Sequence, residues 1–533
     1  MNTMRHVALL LILVFTGTVV NAQNPQNLPT HKVKGVGGND WKGEINNRWL
    51  ELKKEDIPEW FLDAKFGCYT HWGPYSEAAY AGPDYVKRIY EAQNTRKPDD
   101  RKSKEHHIEK YGSLKDYTYI DIINDFKAPK FDAGEWAQLM ADAGCKFGGI
   151  CLVHHDGFCM WDSKQTRWNA KNMGPKKDIY GEIATEVRKR GMKLAATFHH
   201  ARTYDWILKS GKYTEEEKKW NPIFNPEYKD LFQSKLYVQP EEFGKEWAAK
   251  VREVEDKYDP DFIWFDGLNP RDGVLNEDSV LNILENQYSK KGHLVANKLP
   301  GGRKQWNFPK GVGIRCYEGN RDMEPNPSGY FLSDRAIGYP WCWVENKKYR
   351  FGADYHINIL VDLVSRGGIY LISLTPKGDG SIAKAEQDIM KGMGAWLKVN
   401  GEAIYATRKW RTAGHGDTQL IKMKESRNLL FWDYHNYGKN EVRYTRKKDN
   451  SAVYAITTTW KDHGTLVLPE LAKGEKFAKK GIARVELLGS KEKIEWTRSS
   501  KGLEIKFPNN KPCKAQYSFK IVPKGKLVNY DRS

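Results

Sequence analysis

The sequence predicts an α/β chain with a (β/α)8-like, TIM-type barrel followed by a C-terminal all-β sandwich domain. Three observations carry that expectation. From about residue 50 to about residue 400, short apolar runs alternate with amphipathic helical stretches, the pattern of a parallel sheet with helical crossovers. About eight such units fit in about 350 residues, and no glycine-rich phosphate turn follows the first strand, so a closed barrel is favoured over a doubly wound sheet. After about residue 405 the helical spacing stops, and β-rich runs separated by turn residues take over. A chain of 533 residues has room for two such domains.

Residues 1–22 read as a secretory signal. Arg5 gives a positive start, Val7 to Val20 is apolar, and Val20-Asn21-Ala22 offers a small-residue cleavage site. The apolar run is short for a membrane span. The expected division is therefore signal 1–22, barrel 23–404 and sandwich 405–533, in a secreted or periplasmic protein without stable membrane insertion. Residues 23–45 are polar and are expected to wrap the surface.

Within the barrel, Lys65–His71, Phe147–His155, Lys193–His200, Phe262–Asp266, His293–Lys298, Gly313–Glu318 and Ile369–Leu374 read as strands. Ala133–Gly144 and Tyr180–Gly191 are amphipathic and stop at glycine, as helices do. Glu242–Lys257 and Tyr355–Ser365 complete the expected helices. In the second domain the expected strands are Leu420–Lys424, Asn428–Tyr434, Val442–Arg446, Ala452–Thr459, Gly464–Leu468, Ala483–Leu488, Ile494–Thr497, Leu503–Phe507 and Gln516–Val522.

The formal net charge is +18. An exported protein has little use for nucleic acid, so the positive field points either to an anionic substrate or surface, such as a sulfated or carboxylated polysaccharide, or to solubility alone. Seven cysteines is an odd number, and most lie in apolar runs, which suggests buried free thiols. No CxxC or Cys/His spacing suggests a structural zinc site.

The apolar runs share one feature: they end in polar side chains. His71, His154, His155, His199, His200, Asp266, Lys298, Arg315 and Glu318 all lie at or near such ends. In a barrel of this kind functional residues gather at the C-terminal ends of the strands. Two chemistries fit. One is glycoside hydrolysis by a carboxylate pair, with Asp266 and Glu318 facing each other across the mouth. The other is a metal-dependent hydrolase. Against it, the histidines come in adjacent pairs, strand neighbours point to opposite faces, and no HxH or HExxH spacing occurs.

At these residues the chain resembles the α-L-fucosidases of glycoside hydrolase family 29, over nearly all of residues 55–525. The resemblance rests on Trp60-Phe61-Leu62-Asp63-Ala64-Lys65-Phe66-Gly67 running into His71-Trp72-Gly73-Pro74-Tyr75-Ser76. It continues through Phe131–Trp136, His154-His155-Asp156-Gly157-Phe158, Trp161-Asp162-Ser163 and Gly174–Ile179. Arg443–Ile456 and Val485–Phe507 resemble the C-terminal domain of that family. The resemblance implies that Asp266, in Trp264-Phe265-Asp266-Gly267, is the nucleophile, and that His71, His154 and His155 bind fucose hydroxyls. It implies Glu318 as general acid/base, with Glu324 as the alternative, and a structural place for Glu345. Trp72 is counted with the pocket, as packing around it.

Four departures from the family pattern surround the sugar site. Pro83-Asp84-Tyr85 stands where a Glu-Trp-Tyr is common, so either Asp84 stands in for that carboxylate or the sugar's axial hydroxyl is held differently. Phe198-His199-His200 stands for Tyr-Tyr-Ser, Lys298 for an arginine, and Phe331-Leu332-Ser333-Asp334 for a Trp-Glu-Thr-like segment. The resemblance implies a retaining exo-α-L-fucosidase that needs no cofactor and no metal, and the charge of +18 with the extra Lys, Arg and His near the mouth suggests an anionic glycan, sulfated fucan being one candidate. A non-catalytic fucoside-binding protein and a galactoside-type glycosidase are the alternatives.

Overall fold

A computed structural model describes residues 46–91, 98–208, 213–270, 273–298, 307–319, 327, 329–416, 420–422, 430–432, 440–478 and 480–528. The signal-like segment 1–22 and Glu324 lie outside the described residues.

Eight parallel strands close into a barrel in sequence order: β1 (Phe66–Thr70), β2 (Phe147–Val153), β3 (Lys193–Phe198), β4 (Phe262–Phe265), β5 (Leu294–Lys298), β6 (Ile314–Glu318), β7 (Phe331–Ala336) and β8 (Gly368–Leu374). Closure is made by β8 lying beside β1, with Gly67 opposite Leu371 and Thr70 opposite Leu374. Inside, Tyr69, Phe147, Ala195, Phe262, Trp264, Leu294, Ala296, Cys316, Leu332 and Leu371 form one buried cluster. Phe61 enters from the helix Glu59–Ala64 and packs on Phe147 and Phe262, closing the floor. Gly67 makes this possible: a side chain there would collide with the Phe147 ring.

β7 is the strand that sequence periodicity did not find. Its core reads Ser333-Asp334-Arg335, yet Ser333 and Asp334 are buried. A barrel strand is paired on both edges, so its backbone is satisfied whatever its side chains, and a polar strand leaves no apolar signature. The helices Glu277–Ser289 and Lys384–Asn400 also went unassigned by periodicity; the latter packs on Ala133–Asp142 across the close approach of Gly394 to Asp142.

The second domain starts with β9 (Thr407–His415), an edge strand whose Arg and Lys residues interrupt the apolar alternation. A two-stranded ladder of β10 (Leu420–Lys422) and β11 (Leu430–Trp432) follows. The domain continues with β12 (Val442–Lys447), β13 (Val453–Thr457), β14 (Thr465–Leu468), β15 (Ile482–Leu487), β16 (Trp496–Arg498), β17 (Leu503–Lys506) and β18 (Tyr517–Pro523). One sheet has the order β15-β18-β13-β12-β9, another β14-β17-β16. Tyr444, Ala455 and Phe519 from the first share a core with Leu468, Leu503 and Ile505 from the second, which makes the domain a sandwich.

The two domains are joined by buried polar contacts. Arg443 of β12 donates to Asp362 at 2.7 Å, on the helix Ala353–Ser365. Arg366 binds the other oxygen of Asp362 at 3.0 Å. Trp396 donates its indole N–H to the Gln516 carbonyl at 3.0 Å. All seven cysteines are free, six of them buried. Among the described residues, no helix is long and apolar enough to cross a membrane.

Candidate active site

Because β-strand side chains alternate, the residues in step with the interior cluster also face inward at the C-terminal mouth. Stepping by two from Trp264 reaches Asp266, from Ala296 reaches Lys298, from Cys316 reaches Glu318, and from Leu332 reaches Asp334. His71 and His199 extend β1 and β3, just past their last residues.

Lys298 is the centre of the arrangement. Its ammonium lies 2.5 Å from Oδ1 of Asp266 and 3.5 Å from Oε2 of Glu318. One nitrogen touches both, so those two oxygens are at most about 6 Å apart. Asp266 also faces Nε2 of His155 at 3.6 Å and Nη1 of Arg202 at 3.6 Å. Burial alone would raise the Asp266 pKa, but the Lys298 ammonium first and the Arg202 guanidinium next overcome it and hold the carboxyl well below its usual range. Burial likewise opposes the Lys298 charge, and Asp266, Glu318 and Asp334 outweigh it, so Lys298 stays an ammonium. Asp266 is thus kept ionised in a nearly dry site.

The histidines form a wall beside this triad. The rings of His154 and His199 stack at 4.8 Å, and His71 stands edge-on to His199 at 4.9 Å. Nδ1 of His71 meets Ser373 Oγ at 2.8 Å, Nδ1 of His199 meets Cys151 Sγ at 3.1 Å, and Nδ1 of His155 meets the His199 carbonyl at 2.8 Å. Those bonds fix the rings and leave each Nε2 for a ligand. Burial pushes His71 down to about 3 and His155 down to about 4, and drives His154 and His199 well below the usual value. The wall is therefore neutral at ordinary pH.

Both His154 and His155 face the mouth, which corrects the expectation that strand neighbours must part. β2 ends at Val153, after a register irregularity between Cys151 and Val153, so the pair lies in a turn rather than on the strand. Among the described residues, His71, His154 and His199 are the one group placed to share a cation, their ring nitrogens lying within 4.8 Å of one another. The nearby Lys298 charge works against a cation there and favours neutral hydroxyl partners.

Asp84 sits half-buried ahead of the helix Tyr85–Tyr90, close enough for its charge to act on His155. Two residues expected at the pocket lie elsewhere. Arg315 is three positions from Glu318 and one from Cys316, so it is on the outward face of β6. Trp72 is 1% exposed, packed among Phe126, Phe131 and Trp136, with its indole N–H on the Lys377 carbonyl at 2.7 Å; it is packing, not pocket surface.

Three residues that sequence reasoning did not assign join the site. Asp334 is buried, accepts from Tyr69 O–H at 3.2 Å and from Cys316 S–H at 3.3 Å, and burial raises it to about 7 against the pull of Lys298. Arg202, in the turn after β3, keeps 54% of its side chain exposed while touching Asp266. Trp341 packs on His71 at 4.9 Å. Only Asp334 left a trace in the sequence, as an inward-facing acid two residues beyond Leu332.

Two carboxyl groups bridged by a lysine, beside neutral imidazoles, are the equipment of a glycosidase. The family model for "Alpha-L-fucosidase" matches residues 38–402, and that for "Alpha-L-fucosidase C-terminal domain" matches residues 436–522. The chain belongs to the α-L-fucosidase family. That family is one of glycoside hydrolases. Human tissue alpha-L-fucosidase is 26% identical over 96% of this chain and 95% of its own length. Rat plasma alpha-L-fucosidase is 28% identical over 87% of this chain and 91% of its own. The solved alpha-fucosidase of Thermotoga maritima in complex with fucose superposes with a TM-score of 0.65 at 25% identity, covering 89% of this chain and 99% of that one.

Proposed function

We propose that the chain is an exported, retaining exo-α-L-fucosidase in which Asp266 is the nucleophile and Glu318 the general acid/base. The observation that carries this is Lys298 touching both carboxylates. A retaining enzyme needs its carboxyl groups about 5–5.5 Å apart, whereas an inverting one needs about 6.5–9.5 Å to admit water between them. The ceiling of about 6 Å set by Lys298 supports the shorter class. In the first step Asp266 attacks the anomeric carbon while Glu318 gives its proton to the leaving oxygen. In the second, Glu318 takes a proton from water, which displaces Asp266 from the sugar. His71, His154, His155 and His199 are proposed to receive the fucose hydroxyls, and Asp84 to stand in for the missing carboxylate. No step calls for a cofactor or a metal.

Replacing Asp266 with Gly is expected to lower kcat on the order of 10⁴-fold, and azide is expected to restore turnover as a fucosyl azide of inverted configuration. A variant that azide cannot rescue excludes Asp266 as nucleophile. A panel of aryl glycosides separates this reading from a binding-only protein and from a galactoside-type enzyme.

The substrate is proposed to be anionic, of the sulfated-fucan type. The charge of +18 and the half-exposed Arg202 beside Asp266 support it. The expected result is a kcat/KM higher on sulfated than on neutral fucosides, falling with added salt; equal, salt-insensitive rates would remove the proposal. Export is proposed from residues 1–22 alone. N-terminal sequencing of the released protein tests it.

A further inference from the structure

We propose that Tyr339 forms a subsite for the sugar ring attached to the fucose, the ring that departs with the leaving oxygen. The inference rests on the reading of Glu318 as acid/base. An acid that protonates the glycosidic oxygen must lie beside it, so the rest of the glycan leaves the pocket on the Glu318 side. Among the described residues, Tyr339 is an exposed aromatic found there. Its phenol oxygen is 3.8 Å from where a side-chain carbon would sit on Gly319, the residue after Glu318.

A single exposed aromatic is ordinary on a protein surface. Tyr339 differs in how its loop is held. The residue is 51% exposed, yet the backbone around it is braced. Lys347 donates to the carbonyls of Pro340 at 2.8 Å and Cys342 at 3.1 Å, and to Thr375 Oγ1 at 2.9 Å. Pro340 packs against Gly82 of the Asp84 loop, and Ile337 N–H bonds the Ser373 carbonyl at 2.9 Å. A platform fixed in advance costs little order on binding.

The neighbouring ring gives the direction. Trp341 packs on His71 at 4.9 Å and stands edge-on to Tyr339, 83° between planes and 6.0 Å between centres. The two rings step from the pocket wall to the rim, Trp341 on the fucose side and Tyr339 beyond it. The chemistry suits a pyranose that lays its C–H face on the phenol ring.

The test compares α-L-fucosyl fluoride, which has no second ring, with a panel of fucosylated disaccharides. The ratio of kcat/KM values, disaccharide over fluoride, is measured in the parent protein, Tyr339→Ala and Tyr339→Phe. The alanine variant is expected to lower that ratio roughly tenfold for the preferred disaccharide, and the phenylalanine variant to keep most of it. An unchanged ratio in Tyr339→Ala, or an equal loss in Tyr339→Phe, overturns the stacking subsite. A parent protein that turns over neither compound defeats the catalytic reading instead. Titration calorimetry of disaccharide against free fucose then decides the subsite: an advantage for the disaccharide that Tyr339→Ala removes supports it, and equal affinities overturn it.

Discussion

At the scale of single residues, Asp334 has the clearest measurable consequence. Its carboxyl faces Lys298, Glu318, Asp266, Cys316 and Tyr69, and its pKa rises from 3.8 to about 7 on folding. The folded protein therefore keeps a proton that the unfolded chain releases. Stability from this group is complete below about 4 and is lost as pH rises toward about 7. Asp334→Asn retains the neutral shape at every pH. Its melting temperature, relative to the parent's, is expected to improve from pH 5 to pH 8. A difference that stays flat across that range contradicts the buried proton. Residues of this kind were partly legible in the sequence. Asp266, Lys298 and Glu318 end apolar or half-apolar runs and keep the inward phase. Arg315 broke that phase, and Trp72 was too large and apolar to show whether it lined a pocket or filled a core. Arg202 and Trp341 sit in turns, where no period assigns a direction.

At the scale of elements, the strand ends need support from one another. Asp266 is followed by a turn at Gly267, and Asn297 of β5 grips the next residue from the side. The Leu268 N–H donates to Asn297 Oδ1 at 3.0 Å, and Asn297 Nδ2 donates to the Leu268 carbonyl at 2.9 Å. Both bonds are buried, so Asn297→Ala leaves a donor and an acceptor without partners, at about 1–3 kcal/mol each. The expected outcome is a lower melting temperature together with a fall in kcat of roughly tenfold or more, since small displacements of a nucleophile are costly. Full kcat in a destabilised variant would show that the turn is held by other means. The barrel itself was readable where its strands are apolar. β7 was not, because pairing on both edges satisfies its backbone without demanding an apolar sequence, and β9 was not, because charged residues break its alternation at the sheet edge.

At the scale of the whole molecule, the change of pattern near residue 405 made the two architectures legible, whereas the contacts between them were not. Arg443 is 81 residues from Asp362 in the chain, so their pairing carries no local signal, yet Asp362 is completely buried and held well below the usual carboxylate range by Arg443 and the nearby Arg366, against burial. Removing one partner of a buried pair costs about 3–5 kcal/mol. Arg443→Met is expected to lower the melting temperature and to split one calorimetric transition into two, the sandwich separating from the barrel. A single transition at the parental temperature would mean that the pair contributes nothing across the junction.

The same junction bears on how the protein can be cut and recombined. Arg443 anchors the helix Ala353–Ser365, which runs through Arg366 directly into β8, and β8 carries Ser373, the hydroxyl that orients His71. A line of covalent and hydrogen bonds therefore connects the rear module to the sugar wall. Shortening the gene after Asn400 would remove the Arg443 anchor from the helix that leads into β8, and grafting a foreign module there would have to replace that contact. Libraries aimed at new glycans are best built on the uncut chain, with the sandwich treated as part of the catalytic frame.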